Sequence, residues 1–392
     1  MANILDYLDW RGDLTLAASP FNEVDALLLA ELSFINFRGI VSSSELGYGL
    51  RLRDAAKAYF TRRKSHSSTG VFMPGDIHLM LRAMAGSRRF GDMMVNAFED
   101  RIDEALEQQF AALTIDLGDG TVYVSFRGTD DTLVGWKENL NMSFLAEVPA
   151  QERAVRYLER IARKYPDRFL RVGGHSKGGN LAIYSAVKCA PAVQDRILDV
   201  YNNDGPGFLN DLSATPEHRR IAERIHTVVP QSSVVGMLLE HEKNAQVVHS
   251  TYDGIMQHDG FSWEVKGTQF VHLEDFSREG KLLDETIDTW ADALSARQRE
   301  NFADALYEVL TASGARTLSD LSDEKLKSAV SILKSYKNLD RETREALSGA
   351  LKLLLRLGAK SVIESAQEEQ EQEMEHIRVA LRRQKKKLLE KR

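Results

Sequence analysis

The sequence predicts an α/β fold with a largely parallel sheet, followed from about residue 278 by an all-helical region. Three observations carry this. Around Gly174-His175-Ser176-Lys177-Gly178, a short apolar run from Phe169 to Val172 passes through a glycine-rich turn into a helical stretch, Gly179 to Val187. Strand-like and helix-like segments alternate up to about residue 266, with polar loops at the strand ends, as βα units require. Beyond residue 278 strand-like runs give way to leucine interleaved with charge. The expected division is 1–277 and 278–392.

The N-terminal part reads as helices and loops. Ser19-Pro20 starts a helix over Glu23–Phe37 that buries Val24, Leu27, Leu28, Leu32 and Ile35. Residues 62–70 are polar and loop-like. Two more helices are expected at 76–86 and Phe90–Gln108, the second because Met94, Phe98, Ile102 and Leu106 recur every four residues. Phe110–Leu117, Gly118-Asp119-Gly120 and Thr121–Thr129 read as a hairpin. Asp130–Leu140 and residues 150–164 follow as helices. Arg196–Tyr201, Ile225–Pro230, Gln246–His249 and Phe261–Lys266 are strand candidates. The C-terminal region divides into helices Leu282–Leu294, Ala296–Leu310, Asp323–Leu333, Arg341–Leu357 and Ser361–Lys391. The last is acidic first and basic last, which suits the helix dipole. Its Met374, Ile377, Leu381 and Leu388 form a short seam that offers self-association.

Composition narrows the function classes. Of 392 residues 43 % are hydrophobic and 28 % charged, a globular balance. A net charge of −7 gives no electrostatic basis for nucleic-acid binding. The single cysteine, Cys189, excludes an intrachain disulfide and reads as a packing residue. The N-terminus lacks a secretory pattern, and no window reaches the ~20 apolar residues of a membrane span, so a cytoplasmic location is expected. No Cys/His cluster has zinc spacing and no glycine loop matches a phosphate cradle, so no metal or cofactor is expected. Asp130 and Asp131 read as helix-start residues.

The chemistry sits in the glycine turn. Gly174-His175-Ser176-Lys177-Gly178 fits G-x-S-x-G, and its strand–turn–helix flanks are those of a nucleophile elbow. Ser176 is then the nucleophile. The helix start behind it offers the Lys177 N–H to an oxyanion, and Thr129, ending the strand Ser125-Phe126-Arg127-Gly128, offers a second donor. A base must follow in the chain. His218, His226, His241, His249, His258 and His272 are available. His258 stands first because it lies in a loop just ahead of a strand candidate, and His249 second. His175 reads as a packing or hydrogen-bonding residue. For the acid, the loop after Ile225–Pro230 reads Gln231-Ser232-Ser233 and holds no carboxylate. Asp204, at the preceding strand end, could serve from there; as an alternative, Ser232 or Ser233 could orient the histidine as a neutral acceptor.

FRGTDDTLVGWKENL followed by GGHSKGGNLA resembles the class 3 lipases, the fungal-type triacylglycerol lipases and their relatives. The resemblance covers about residues 110–265. YLDWRGDL, PFNEVDALLLAELSF, VVPQSSVVGMLLEH and QHDGFSWEV resemble a bacterial family of uncharacterised lipase-like proteins in the same group, over roughly 1–275. The resemblance implies an α/β-hydrolase fold and ester hydrolysis through an acyl-enzyme on Ser176. It also implies Thr129 and Lys177 as oxyanion donors, and His258 by its likeness to the lipase His-x-G segment. It further implies a lid at Asp131–Leu140, with Leu133, Val134 and Trp136 offered to lipid or to a closed pocket. The sequence departs from the group in lacking an aspartate after Ile225–Pro230. Two functions follow from these residues. One is a serine esterase or lipase-like hydrolase acting on a small-molecule or lipid ester, with transient lipid contact. The other is a weakly active or non-catalytic hydrolase-fold protein that binds or scaffolds through its C-terminal helices.

Overall fold

A computed structural model describes residues 1–43, 47, 49–62, 76–239, 244–278, 280–281, 295–312, 314–317 and 319–320. His241 and the expected helices Leu282–Leu294, Asp323–Leu333, Arg341–Leu357 and Ser361–Lys391 lie outside the described residues.

β-Strands alternate with helices between residues 121 and 230, and these strands join one mixed sheet with their neighbours in the chain. Its members are β1 (Leu50–Arg51), β2 (Met94–Asp103), β3 (Gln108–Asp116), β4 (Thr121–Phe126), β5 (Phe169–His175), β6 (Ile197–Asn203), β7 (Ile225–Pro230), β8 (Gln246–Val248) and β11 (His272–Leu273). They lie side by side in that order. β4 through β8 run parallel and form the centre. β1, β2 and β3 extend one edge antiparallel, and β11 closes the other. β9 (Val265–Lys266) and β10 (Gln269–Phe270) make a separate small hairpin.

This sequential order dictates where the helices go. Right-handed crossovers that always step the same way place their helices on the same face of a sheet. On that face α6 (Pro149–Lys164) and α7 (Lys177–Lys188) pack through Tyr157, Leu158, Ile161, Leu181 and Ile183 onto Phe110, Val124, Phe126 and Val172. The other face needs a cover from elsewhere, and the N-terminal region supplies it with α1 (Ile4–Arg11), α2 (Glu23–Leu32), α3 (Leu52–Arg62) and α4 (Ile77–Gly86). Every residue of α2 from Val24 to Leu32 is buried. Its carbonyls at Ala26 and Leu29 accept hydrogen bonds from Tyr123 Oη at 3.0 Å and Ser125 Oγ at 2.7 Å. The buried Arg89–Asp25 ion pair clasps this layer, with the guanidinium also donating to the Ser19 carbonyl at 2.9 Å.

The amphipathic helix expected at Phe90–Gln108 is instead β2. A spacing of four is an even number, so Met94, Phe98 and Ile102 satisfy a two-residue period as well as a helical one. Pairing with β3 selects the strand. A bulge between Asn96 and Glu99, with Ala97 at φ 53°, then breaks the alternation and leaves Ile102 exposed, while Leu106 is exposed in the turn that leads to β3. The helix expected over Glu23–Phe37 stops at Leu32, where Ser33 Oγ bonds back to the Ala30 carbonyl at 2.6 Å. The strand expected at Phe261–Lys266 is cut to Val265–Lys266, because Gly260–Ser262 coil into a 3₁₀ turn.

α5 (Leu133–Asn141) lies beyond the end of β4 and packs against α10 (Ala296–Thr311). The Leu133 N–H donates to the Arg316 carbonyl at 2.9 Å, Lys137 pairs with Asp304, and Thr132 bridges to Thr317. Among the described residues, no helix is long and apolar enough to cross a membrane.

Candidate active site

Ligand sites in such sheets form at the carboxyl ends of the parallel strands. The chemically able residues collect there. β5 ends at His175, Ser176 turns, and α7 begins at Lys177. Ser176 has φ 59° and ψ −136°, a left-handed, strained conformation for a residue with a Cβ. The turn closes only because its neighbours are glycines. A Cβ at Gly178 would stand 2.2 Å from the Phe126 carbonyl oxygen, and one at Gly128 would stand 2.9 Å from the Ser176 Cβ. That closeness brings the loop after β4, with Thr129, against the serine.

The Lys177 N–H heads α7, where the chain offers no intrahelical acceptor. Thr129 Oγ1 donates to Asn139 Oδ1 at 2.9 Å, so the hydroxyl is held from α5.

Asp204 follows β6, and His258 ends the 3₁₀ turn Gly254–His258. The structure brings them together: His258 Nδ1 donates to Asp204 Oδ2 at 2.6 Å. Asp204 is fully buried at φ 51°. Its other oxygen accepts from Ser233 Oγ and from the Gly236 N–H at 3.1 Å. The loop after β7 therefore contributes donors to a carboxylate that arrives from β6. Ser233 thus orients Asp204. Ser232 is engaged elsewhere, its N–H with Gln257 Oε1 at 2.9 Å and its hydroxyl with Ser277 at 2.6 Å.

The backbone under His258 is pinned by side chains. His175 Nε2 donates to the His258 carbonyl at 2.8 Å, and the two rings stack with centroids 4.6 Å apart. Trp263 Nε1 donates to the Gln257 carbonyl at 2.8 Å. Glu31 Oε1 lies 3.0 Å from His175 Nδ1, at ion-pair distance but out of line for a hydrogen bond. Burial pulls the His175 pKa down; Glu31, Asp204 and the His258 carbonyl more than offset it, and the ring stands above the ordinary imidazole value. An Nε2–H that donates to a carbonyl serves in the neutral and the charged ring alike, which makes His175 a fixed donor. Burial, reinforced by Glu31, pushes the carboxyl of neighbouring Asp259 up to about 6 against the opposing Phe261 N–H and His175.

The remaining described candidates pair with other residues. His249 pairs with Glu264 at 2.8 Å, and His272 with Glu23 at 2.9 Å. His226 meets Asp199 at 3.1 Å and stacks on Tyr201, while His218 is buried in the short helix Pro216–Arg219. Asp130 caps its own loop through the Thr132 N–H at 3.0 Å and receives Arg127, as a helix-start residue does. Among the described residues, no group of three metal-type ligands occurs. Burial pushes the Cys189 thiol up to about 12, an inert packing group.

In α5, Leu133 and Val134 are buried and Trp136 is half-buried. Glu138 is 0 % exposed and holds the Lys177 ammonium at 2.8 Å. Sequence reading singled out neither Glu138 nor Glu31. A lone acid at the end of the apolar run Ala26–Ala30 is the only signal Glu31 gives. Glu138, one of several charges in WKENL, gives none.

A family model described as Mbeg1-like matches residues 84–308. No curated protein matches the sequence. Among solved structures the chain is similar to the Lip2 lipase from Yarrowia lipolytica, with 11 % identity, a TM-score of 0.35, and coverage of 53 % of this chain and 78 % of that one. It is also similar to the triacylglycerol lipase from Penicillium expansum, with 13 % identity, a TM-score of 0.34, and coverage of 67 % and 86 %. A further fungal lipase structure shares 12 % identity at a TM-score of 0.36, over 67 % and 90 % of the two chains.

Proposed function

The chain belongs to the Mbeg1-like family, and on that premise we propose that it is a serine hydrolase that cleaves carboxylic esters, acyl lipids among them, through an acyl-enzyme on Ser176. The observation that carries the reading is the His258–Asp204 contact of 2.6 Å, taken with a Ser176 held at φ 59° at the end of β5, the neighbour of the strand that Asp204 follows. A buried carboxylate on Nδ1 fixes the tautomer whose Nε2 can accept a proton.

Ser176 Oγ attacks the ester carbonyl carbon and gives its proton to His258 Nε2. The carbonyl oxygen becomes the oxyanion and takes the N–H groups of Lys177 and Thr129. Collapse expels the alcohol, which receives the proton from Nε2. Water then attacks the acyl-enzyme, losing its proton to the same nitrogen, and the acid leaves as Nε2 returns that proton to Ser176 Oγ. Asp204 stays ionised and stabilises the imidazolium. Leu133, Val134 and Trp136 cover the acyl side of the serine in this reading. No step calls for a metal or cofactor.

Residues 1–277 act as the hydrolase unit in this reading, and the region from 278, expected from its sequence to be helical, is an addition whose α10 braces α5. The seam in the last expected helix, outside the described residues, is where self-association would arise.

A fluorophosphonate probe on the purified protein, with peptide mass spectrometry, tests the reading. The expected result is one adduct, on Ser176, absent in a folded Ser176→Ala variant. A folded wild-type protein that takes no label, or a Ser176→Ala variant that still turns over esters, overturns it.

A further inference from the structure

Lys177 carries two groups with separate fates. Its N–H heads α7 beside the nucleophile, while its side chain runs inward and is 1 % exposed. The ammonium has three protons and three acceptors: Glu138 Oε2 at 2.8 Å, the Gln109 carbonyl at 2.8 Å and Gln109 Oε1 at 2.6 Å. Glu138 is as fully engaged, for it also accepts the Gln109 N–H at 3.0 Å and, through Oε1, the Ala150 N–H at 2.9 Å. This network ties the first turn of α7 to β3, to α5 and to the start of α6.

Stability alone is a weak reason for such a pair. Burying two charges has a large desolvation cost, and apolar pairs of similar volume often serve a fold as well. A buried ion pair is best at fixing register, and here both ends of the network reach the place where an oxyanion would form. Gln109 Nε2 approaches the carbonyl of Gly128, the residue before Thr129, at 3.4 Å. Asn139, next to Glu138 on α5, accepts the Thr129 hydroxyl at 2.9 Å. The two donors assigned to the oxyanion come from different strand ends, and one buried polar network spans the gap between them.

We propose that Lys177 and Glu138 are positioning residues whose buried ion pair, through Gln109 and α5, sets the distance between the Lys177 and Thr129 N–H groups. The inference deepens the hydrolase reading and rests on it. Glu138 neutralises the ammonium, so the pair acts by placement and not by net charge on the oxyanion. α5 is held by α10 through Lys137–Asp304 and by the segment after α10 through the Arg316 carbonyl.

The test is Lys177→Met with Glu138→Gln in the full chain. This removes both charges, keeps the volume, and leaves an amide oxygen to accept one of the Gln109 and Ala150 N–H groups. Glu138→Gln alone, which keeps the lysine, is measured beside it in case the double variant does not fold. Each is compared with wild type in fluorophosphonate labelling rate and in kcat and KM for p-nitrophenyl butyrate. A displaced oxyanion donor lowers kcat and the labelling rate together by about 10- to 100-fold with KM within twofold. A folded variant that labels and turns over at the wild-type rate, or one whose loss lies in KM, overturns the positioning role. A wild-type protein that does not label at all overturns the hydrolase reading, and this inference with it.

Discussion

Asp204→Asn is the most searching single substitution at the site, because the hydrogen-bond geometry dictates its outcome. Two donors, Ser233 Oγ and the Gly236 N–H, converge on Oδ1, and one, His258 Nδ1, meets Oδ2. An asparagine has one carbonyl oxygen to offer. It satisfies more donors by keeping that oxygen toward Ser233 and Gly236, which turns its NH₂ toward Nδ1. A ring nitrogen facing a donor must be unprotonated, so the imidazole proton moves to Nε2, the atom that has to accept the Ser176 proton. The base is then present in the wrong tautomer. The corresponding change in other serine enzymes costs about 10⁴ in turnover, or roughly 5 kcal/mol of transition-state stabilisation. Folding is affected far less, by about 1–2 kcal/mol, because the amide keeps hydrogen bonds at both ends. The assay is the second-order rate of fluorophosphonate labelling and ester turnover between pH 6 and 9, alongside thermal unfolding. A folded variant that reacts within tenfold of wild type would falsify the assignment of Asp204 as the group that orients His258.

Two further substitutions test the physics around the site. Ser176→Gly removes the Cβ that makes φ 59° costly and is expected to raise stability by about 1 kcal/mol over Ser176→Ala, both variants being inert; equal denaturation midpoints would show that the turn stores no strain. Asp259 holds its proton more tightly in the folded protein, up to about 6, so its favourable contribution is complete below the usual carboxyl value and is lost as pH rises to about 6. Asp259→Asn, which keeps an oxygen for the Phe261 N–H, is therefore expected to stabilise the protein at pH 7.5 by up to about 3 kcal/mol, with no gain near pH 4. A gain independent of pH would contradict the argument.

The sequence exposes some of this arrangement and hides the rest for definable reasons. The elbow is legible because all of its constraints are local: glycines at two fixed offsets, a strand before and a helix after. β3 to β7 are legible for the same reason, as β-rich runs bounded by turns. Asp204 can be named from its place after a strand, but its contact with His258 joins residues 54 apart, which no periodicity reports. Glu31 with His175 and Glu138 with Lys177 are contacts of the same kind. β2 was misread because a spacing of four suits two geometries, and only the partner strand decides between them. The bulge at Ala97 then leaves Ile102 outside, where a helix would have buried it.

The buried, leucine-rich α2 has a consequence for how the chain is made. Its hydrogen-bond partners Tyr123 and Ser125 follow Ala26 and Leu29 by 97 and 96 residues. At a synthesis rate of about 5–20 residues per second, α2 leaves the ribosome roughly 5–20 s before the strands it will cover. During that interval Leu27, Leu28 and Leu29 have no sheet to rest on. Newly made chains therefore pass through a sticky stage early in translation. Their yield in a cell should respond to chaperone supply and growth temperature more than the stability of the finished fold would suggest.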